Sequence, residues 1–281
     1  RWKAKLRRTW NGKGRMEIVD VVGGNEAPFE FSLGKGIDLR EMTILAFGGA
    51  GALAEAFLYG AAHRGARIAF ADYPPRDAEK RRAFDERLER VARNLADLGA
   101  EPPLVMLADV TDPVDVTAAA EAVLERFGGI DVAVDFAGMH HRTLDLTTDD
   151  IGEMAGLFRQ VIELNLTGAF VFTAAIGQVM VRQRRGQIIH LCSSGSRASL
   201  YGSYAYNASK HGLEGLVKTA AAQLAPYGVR VNAVAPGTVV TDLNKHLSFT
   251  EEGQPKPRAK SILPTHRPNV SPPPKGSPRP S

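Results

Sequence analysis

The sequence predicts an α/β fold in which a parallel sheet carries helices on both faces. Three observations lead there. Six short, nearly continuous apolar runs recur between residues 43 and 235, and segments of helical length separate them. The runs lack the apolar–polar alternation of a sheet with one wet face, so each reads as a strand buried on both sides. Strand–helix alternation of this kind winds doubly, with right-handed crossovers.

The strands are expected at residues 43–47, 66–71, 104–108, 130–136, 187–192 and 229–235. Helices are expected at 53–64, 78–98, 114–127, 151–181 and 204–224. Gly99, Gly128 and Gly228 each follow a helix, where a left-handed residue closes the last turn. The predicted organisation is an N-terminal extension over 1–40, a core domain over 41–250, and a Pro-rich tail over 251–281. The extension has weak periodicity. Residues 253–281 hold nine prolines and no Phe, Tyr or Trp, the composition of a disordered tail.

Charge is unevenly spread. Residues 1–15 hold seven Lys/Arg and residues 253–281 hold six, neither stretch containing an acid, so residues 16–252 are net −9 although the whole chain is +4. An acidic core domain argues against a nucleic-acid partner. The single cysteine, Cys192, excludes an intrachain disulfide and suits a reducing, cytoplasmic setting. The longest uncharged stretch, 164–181, contains Asn165, Thr167, Thr173 and Gln178, so it reads as a buried helix and no membrane partner is expected. The chain opens on Arg1 and its first methionine is Met16. Either the sequence starts inside a longer product or the natural start is Met16; an Arg-rich, acid-poor opening also has a transit-peptide composition.

The first strand runs into Phe47-Gly48-Gly49-Ala50-Gly51-Ala52-Leu53-Ala54. Glycines before a helix permit a tight turn and bring backbone N–H groups toward a pyrophosphate at the positive helix end. The second strand ends at Asp72, 24 residues after Gly48. A carboxylate there accepts hydrogen bonds from ribose hydroxyls and repels a 2′-phosphate, which favours NAD over NADP. A strand-terminal Asp capping its own turn is the plainer alternative. Tyr206 and Lys210 stand four apart in a helical segment and share a face. A phenol is a poor base at neutral pH, and a nearby ammonium favours the phenolate. Ser193 lies thirteen residues before Tyr206, at the C-terminal end of an apolar strand, the edge where ligands bind in open α/β sheets. No metal-ligand cluster is expected.

Together these residues resemble the classical short-chain dehydrogenase/reductase family, over roughly residues 41–242. Gln187-Ile-Ile-His-Leu-Cys-Ser193-Ser is similar to the family's serine strand, and Tyr206-Asn-Ala-Ser-Lys210 to its Tyr-x-x-x-Lys. Leu164-Asn165-Leu-Thr-Gly resembles the helix that carries the family's asparagine. Val229-Arg-Val-Asn-Ala-Val-Ala-Pro236-Gly237-Thr-Val239-Val-Thr241 resembles the segment flanking the nicotinamide, and Ala108-Asp109-Val110-Thr111 the adenine-contacting segment. The resemblance implies a Rossmann-type sheet of six to seven strands and an NAD(H)-dependent oxidoreductase acting on an alcohol or carbonyl.

By that resemblance Tyr206 is the general acid/base, and Lys210 binds the nicotinamide ribose and favours the ionised Tyr206. Ser193, rather than its neighbour Ser194, positions the substrate oxygen, and Asn165, opening a long helix, holds a proton-relay water. Gly48, Gly51, Leu53, Asp72, Asp109, Val110, Ala137, Gly138, Tyr206, Lys210, Pro236, Gly237, Val239 and Thr241 are the expected cofactor contacts. A homodimer or homotetramer is implied as well. The residues after Gly138, namely His140, His141 and Arg142, would lie near the substrate, where an arginine beside histidines suits a sugar acid or polyol. Surface-loop residues without a function are the plainer reading of these three.

The sequence also departs from the family. Phe47 stands for Thr in the glycine motif, and Ala52 and Ala54 for its second and third Gly. The overlapping frame Gly49-x-Gly51-x-x-Ala54 still fits the general dinucleotide fingerprint. Asp135-Phe136 replaces Asn-Asn, and a buried Asp135 needs donors from its surroundings. Beyond Asp242 the family continues with a helix and a last strand, whereas here the Pro-rich tail follows. A sheet lacking that strand, a truncated product, and a weak or inactive scaffold are the competing expectations.

Overall fold

The computed structural model describes residues 38–75, 77–98, 101–194, 202–237 and 239, together with three short strands near the N-terminus. Those strands, β1 (Arg8–Trp10), β2 (Met16–Ile18) and β3 (Phe29–Glu30), form a small antiparallel sheet. They fall in the stretch that sequence periodicity left unplaced. The Pro-rich tail and Thr241 lie outside the described residues.

The main sheet holds β4 (Thr43–Phe47), β5 (Arg67–Asp72), β6 (Leu104–Leu107), β7 (Val132–Asp135), β8 (Gly186–Leu191) and β9 (Val229–Val234). Its order is β6-β5-β4-β7-β8-β9 and every pairing is parallel. Order reverses between β4 and β7, the switch point where open α/β sheets bind ligands. Helices α1 (Ala52–Ala62), α2 (Ala78–Leu98), α3 (Pro113–Phe127), α4 (Ile151–Ile162), α5 (Gly168–Gln183) and α6 (Tyr204–Leu224) cover the two faces. This is the expected Rossmann-type sheet, with six strands. The place of a seventh lies beyond the described residues.

Alternation along β4 and β5 explains the two layers. Leu45, Phe47, Ala69 and Ala71 face one core with Phe172, Ile176 and Met180 of α5 and Leu213 of α6. Ile44, Ala46, Ile68 and Phe70 face the other, with Leu58 of α1 and Val91 and Leu95 of α2. Each fully buried Phe, Ile or Met side chain contributes about 1.5–3 kcal/mol relative to exposure. The stretch Ile151–Gln183 is long and apolar enough to cross a membrane. Its Phe172, Ile176 and Met180 are instead packed against the sheet, fully buried.

That stretch corrects one expectation. It is not an unbroken α-helix over 151–181, and Asn165 does not open it. A single π-helical turn, Glu163–Thr167, separates α4 from α5, and the Gly168 N–H bonds back to the Glu163 carbonyl, five residues earlier. Such bulges break the regular ladder at one place and re-aim the side chains they carry.

Candidate active site

The C-terminal ends of β4, β5, β7 and β8 meet at one edge, and the expected residues gather there. The turn after β4 depends on Gly48, whose φ is +69°, with space for no side chain: a Cβ would stand 2.7 Å from the Ala137 nitrogen. The Gly51 N–H bonds to the Gly48 carbonyl at 3.0 Å and closes the turn. Helix α1 follows with no side-chain cap, so the N–H groups of its first turn remain available to an anion. Leu53 is exposed on that turn, while Ala54 is fully buried.

Asp72 faces this turn from the end of β5. Its Oδ2 accepts from the Ala50 N–H at 2.9 Å and its Oδ1 from the Tyr73 N–H at 2.8 Å. Burial pushes its carboxyl above the ordinary Asp value, and these two N–H groups partly offset that. Asp109 spends one carboxylate oxygen on Thr111, accepting from its N–H and its hydroxyl at 2.8 and 2.7 Å. Val110 is buried and packs close to Gly168 at the start of α5.

Lys210, Asn165 and Gly138 form the centre. Lys210 is buried and its Nζ donates to the Leu191 carbonyl at 2.7 Å. Its burial lowers the ammonium's proton affinity, opposed by the charge of Asp135 and by Cys192. The position a Cβ would take on Gly138 is 3.8 Å from Lys210 Nζ and 3.3 Å from Asn165 Oδ1, so a glycine keeps this approach open. Asn165, 2% exposed, donates through Nδ2 to the Met139 carbonyl at 2.9 Å and to Ser209 Oγ at 3.2 Å. Its Oδ1 accepts from the Met139 N–H at 2.8 Å. Both amide hydrogens are therefore spent on the protein, so a relay water would have to bind elsewhere in the π turn than on the NH₂ group.

Tyr206 stands one helical turn before Lys210, with Lys210 Nζ 5.8 Å from the centre of its ring. Ser193 is buried and Ser194 exposed. The Pro236 carbonyl accepts from the Ser194 N–H at 3.0 Å, so the Pro236–Gly237 loop is tied to the serine strand. Val239 is exposed next to that loop.

The three expected substrate residues separate. His140 reaches the site: its ring lies 4.9 Å from that of Tyr206, and its Nε2 is 3.0 Å from Ser203 Oγ. His141 is buried, with its Nδ1 against the Arg142 carbonyl. The Arg142 guanidinium is bound by Asp149 at 2.8 Å and Glu153 at 3.1 Å. It pins the loop to the start of α4 and offers no free cation to a substrate carboxylate. Ser203, Ser209, Thr173 and His190 were not singled out from sequence. The one available signal was a histidine inside the apolar strand Gln187-Ile-Ile-His-Leu. Among the described residues no cluster of His, Cys, Asp and Glu could hold a metal ion.

Comparison with known proteins identifies the family. A family model described as Enoyl-(Acyl carrier protein) reductase matches residues 49–269. Momilactone A synthase of Oryza sativa subsp. japonica is 37% identical over 153 residues, 53% of this chain and 53% of that protein. A probable galactose dehydrogenase of Rhizobium meliloti is 32% identical over 216 residues, 76% of this chain and 78% of that one. The crystal structure of NAD⁺-bound xylitol dehydrogenase superposes with a TM-score of 0.62 at 27% identity, covering 71% of each chain. The chain belongs to the short-chain dehydrogenase/reductase family. Its match to momilactone A synthase, and to a cyanobacterial 3-oxoacyl-[acyl-carrier-protein] reductase, spans only about half the length of each relative.

Proposed function

We propose that this protein is an NAD(H)-dependent oxidoreductase that interconverts an alcohol and a carbonyl. The observation that carries the reading is the junction at Gly138, where the buried Asn165 and Lys210 bring Oδ1 and Nζ together, with Nζ 5.8 Å from the centre of the Tyr206 ring. The residues present fit a nicotinamide dinucleotide. The uncapped start of α1 and the Gly48 turn suit a pyrophosphate, Asp72 suits unphosphorylated ribose hydroxyls, and the bare Gly138 leaves Lys210 open to a ribose. Bound there, such a cofactor would supply the hydride acceptor or donor.

The chain's own part is proton transfer and orientation. The Tyr206 hydroxyl takes or gives the proton on the substrate oxygen, while the Lys210 ammonium stabilises negative charge on the phenol oxygen. Ser193 holds the same substrate oxygen by a hydrogen bond. Asn165 clamps Met139 and so fixes the loop from which His140 reaches the Tyr206 ring.

For the substrate, the committed Arg142 argues for a neutral polyol or sugar over a sugar acid. His140 offers a polar edge beside the reacting oxygen. Galactose and xylitol dehydrogenases among the similar proteins favour the same class. Self-association as a dimer or tetramer is part of the proposal, supported by Ile151, Phe158 and Phe170, which α4 and α5 leave exposed. So is a cytoplasmic setting, supported by a sequence whose one cysteine, Cys192, can form no intrachain disulfide.

The test is Tyr206→Phe. An oxidoreductase loses about 10²–10⁴ of its turnover of polyols and sugars, the range for removing a general acid/base. Its melt should still rise with NADH, since the cofactor cradle is untouched. Turnover equal to wild type, or no turnover in the wild type either of the alcohols with NAD⁺ or NADP⁺ or of the corresponding carbonyls with NADH or NADPH, would return the protein to the scaffold reading.

A further inference from the structure

His140 and Ser203 meet beside Tyr206 through a contact that the proposed chemistry does not use. Ser203 occupies the N-cap of α6, one helical turn before Tyr206, and is buried at 1% exposure. A serine there ordinarily turns its hydroxyl back onto an N–H of the first turn, a bond worth about 1 kcal/mol. Ser203 makes no such cap. Its Oγ lies 3.0 Å from His140 Nε2 instead. The start of α6 thus forgoes a local bond for one that reaches across to the loop after β7.

What that bond holds is a ring. The His140 imidazole stands against the Tyr206 phenol, with ring centres 4.9 Å apart and planes inclined at 50°. Ser203 and Tyr206 share one side of the helix start, so His140 meets both ends of a single turn. Its loop is anchored on either side of it. Asn165 clamps Met139 before it. After it, Arg142 is tied to Asp149 and Glu153, and the Leu144 N–H donates to the Gly202 carbonyl at 3.0 Å. Gly202 has a φ of +66°, and a Cβ there would stand 2.8 Å from the Leu144 carbonyl oxygen. The loop and the approach to α6 are therefore as close as a glycine allows.

The Tyr206 backbone is secured separately. Its carbonyl accepts from Ser209 Oγ at 2.8 Å, and Ser209 Oγ in turn accepts from Asn165 Nδ2 at 3.2 Å. A fixed backbone still leaves χ1 free, and χ1 is the torsion that places the phenol hydroxyl. In a helix it has two ordinary settings, which point the hydroxyl in different directions. A ring packed against the phenol selects between them, and His140 is the ring so placed.

We propose that His140 is a positioning residue for Tyr206, held in that role by Ser203, whose hydroxyl leaves its helix uncapped to do so. The inference rests on Tyr206 acting as the proposed function assigns. It adds that the phenol is aimed before substrate arrives, so that proton transfer starts from an aligned geometry.

Two readouts test this, the first without cofactor or substrate. Nuclear Overhauser effects between the His140 and Tyr206 ring protons should be present in the wild type and lost in Ser203→Ala. That variant removes no capping bond, so α6 has none to lose. In turnover, Ser203→Ala should lower kcat about tenfold or more and leave KM for the nicotinamide cofactor within about twofold. His140→Phe should lower kcat likewise. Adding Ser203→Ala to it should bring no further fall, because Ser203 acts through His140. Wild-type kcat in Ser203→Ala, ring contacts that survive it, or losses that add in the double variant would each overturn the proposal. Should His140→Phe not fold, the ring contacts and kcat of Ser203→Ala decide alone. A wild type without turnover would take down the oxidoreductase reading and this proposal with it. Turnover indifferent to Ser203 would remove only the positioning role.

Discussion

Asn165 holds Met139 by both ends of its backbone, accepting from its N–H at 2.8 Å and donating to its carbonyl at 2.9 Å. A side-chain amide thus stands in for a neighbouring strand just where β7 has ended, and it fixes the loop that carries Gly138 and His140.

Asn165→Ala leaves both Met139 groups without partners in a largely buried setting. We expect a stability loss of about 1–3 kcal/mol by thermal or urea melts. Turnover should fall further than the lost stability explains, because His140 and the Gly138 junction lose their support. Asn165→Asp keeps the acceptor but sets a carboxylate against the Met139 carbonyl, and it should do no better than Ala. A stability equal to wild type in either variant would contradict the clamp.

Asp72 supplies a pH prediction. Burial raises its carboxyl above the ordinary Asp value, so it gains its proton earlier on acidification than an exposed Asp. Since the folded state then holds the proton more firmly than the unfolded chain, this group stabilises the fold at low pH. That contribution is lost as pH rises through the folded value. For ligands the ionised form repels a 2′-phosphate, so the proposed preference for NADH over NADPH should weaken as Asp72 is protonated. In Asp72→Ser the preference should drop at every pH, changing only with the phosphate's own ionisation. Paired titrations of both cofactors at two pH values would check this. A preference in Asp72→Ser matching the wild type would show that selectivity lies elsewhere.

Two glycines should respond oppositely to alanine. Gly48→Ala meets a left-handed backbone and the Ala137 nitrogen at 2.7 Å. It should cost about 2–4 kcal/mol, combining the left-handed penalty with overpacking. At Gly60, inside α1, a Cβ meets nothing within 4 Å. Gly60→Ala should therefore stabilise by about 0.5–1 kcal/mol. Melting temperatures of the two variants test the contrast directly.

Arg142→Ala tests the substrate class. The guanidinium is committed to Asp149 and Glu153, so its removal should not penalise an acidic sugar more than the corresponding neutral polyol. A selective drop in kcat/KM for the acid would show that Arg142 leaves its partners to bind substrate.

Much of this was legible in the sequence because burial on both faces writes strands as unbroken apolar runs. Residues 43–47 were read to the residue, and Tyr206 and Lys210 were paired by helical spacing alone. The π turn was not legible, since apolar character continues through 151–181 and nothing in the residue types marks where the ladder shifts. That Asp135 and His190 are cross-strand neighbours depends on the register between β7 and β8, which only the assembled sheet supplies. Asp135 was seen to need donors, but not that the Ala137 N–H is one. Arg142 was expected near the substrate, and its pairing with Asp149 and Glu153 was not legible because they lie seven and eleven residues on, across a turn whose path the sequence does not give.

The π turn between α4 and α5 also bears on how this region tolerates insertions and deletions. One residue advances a helix by about 100°. Deleting a single residue within 163–167 would restore a regular helix with its two halves still in phase, because the bulge holds one residue more than the turn it replaces. Phe172, Ile176 and Met180 would stay in the core, while Asn165 would lose the re-aiming that carries it to Met139. Elsewhere along the helix a change of length has no such outlet and turns one half by about 100°, taking core residues with it.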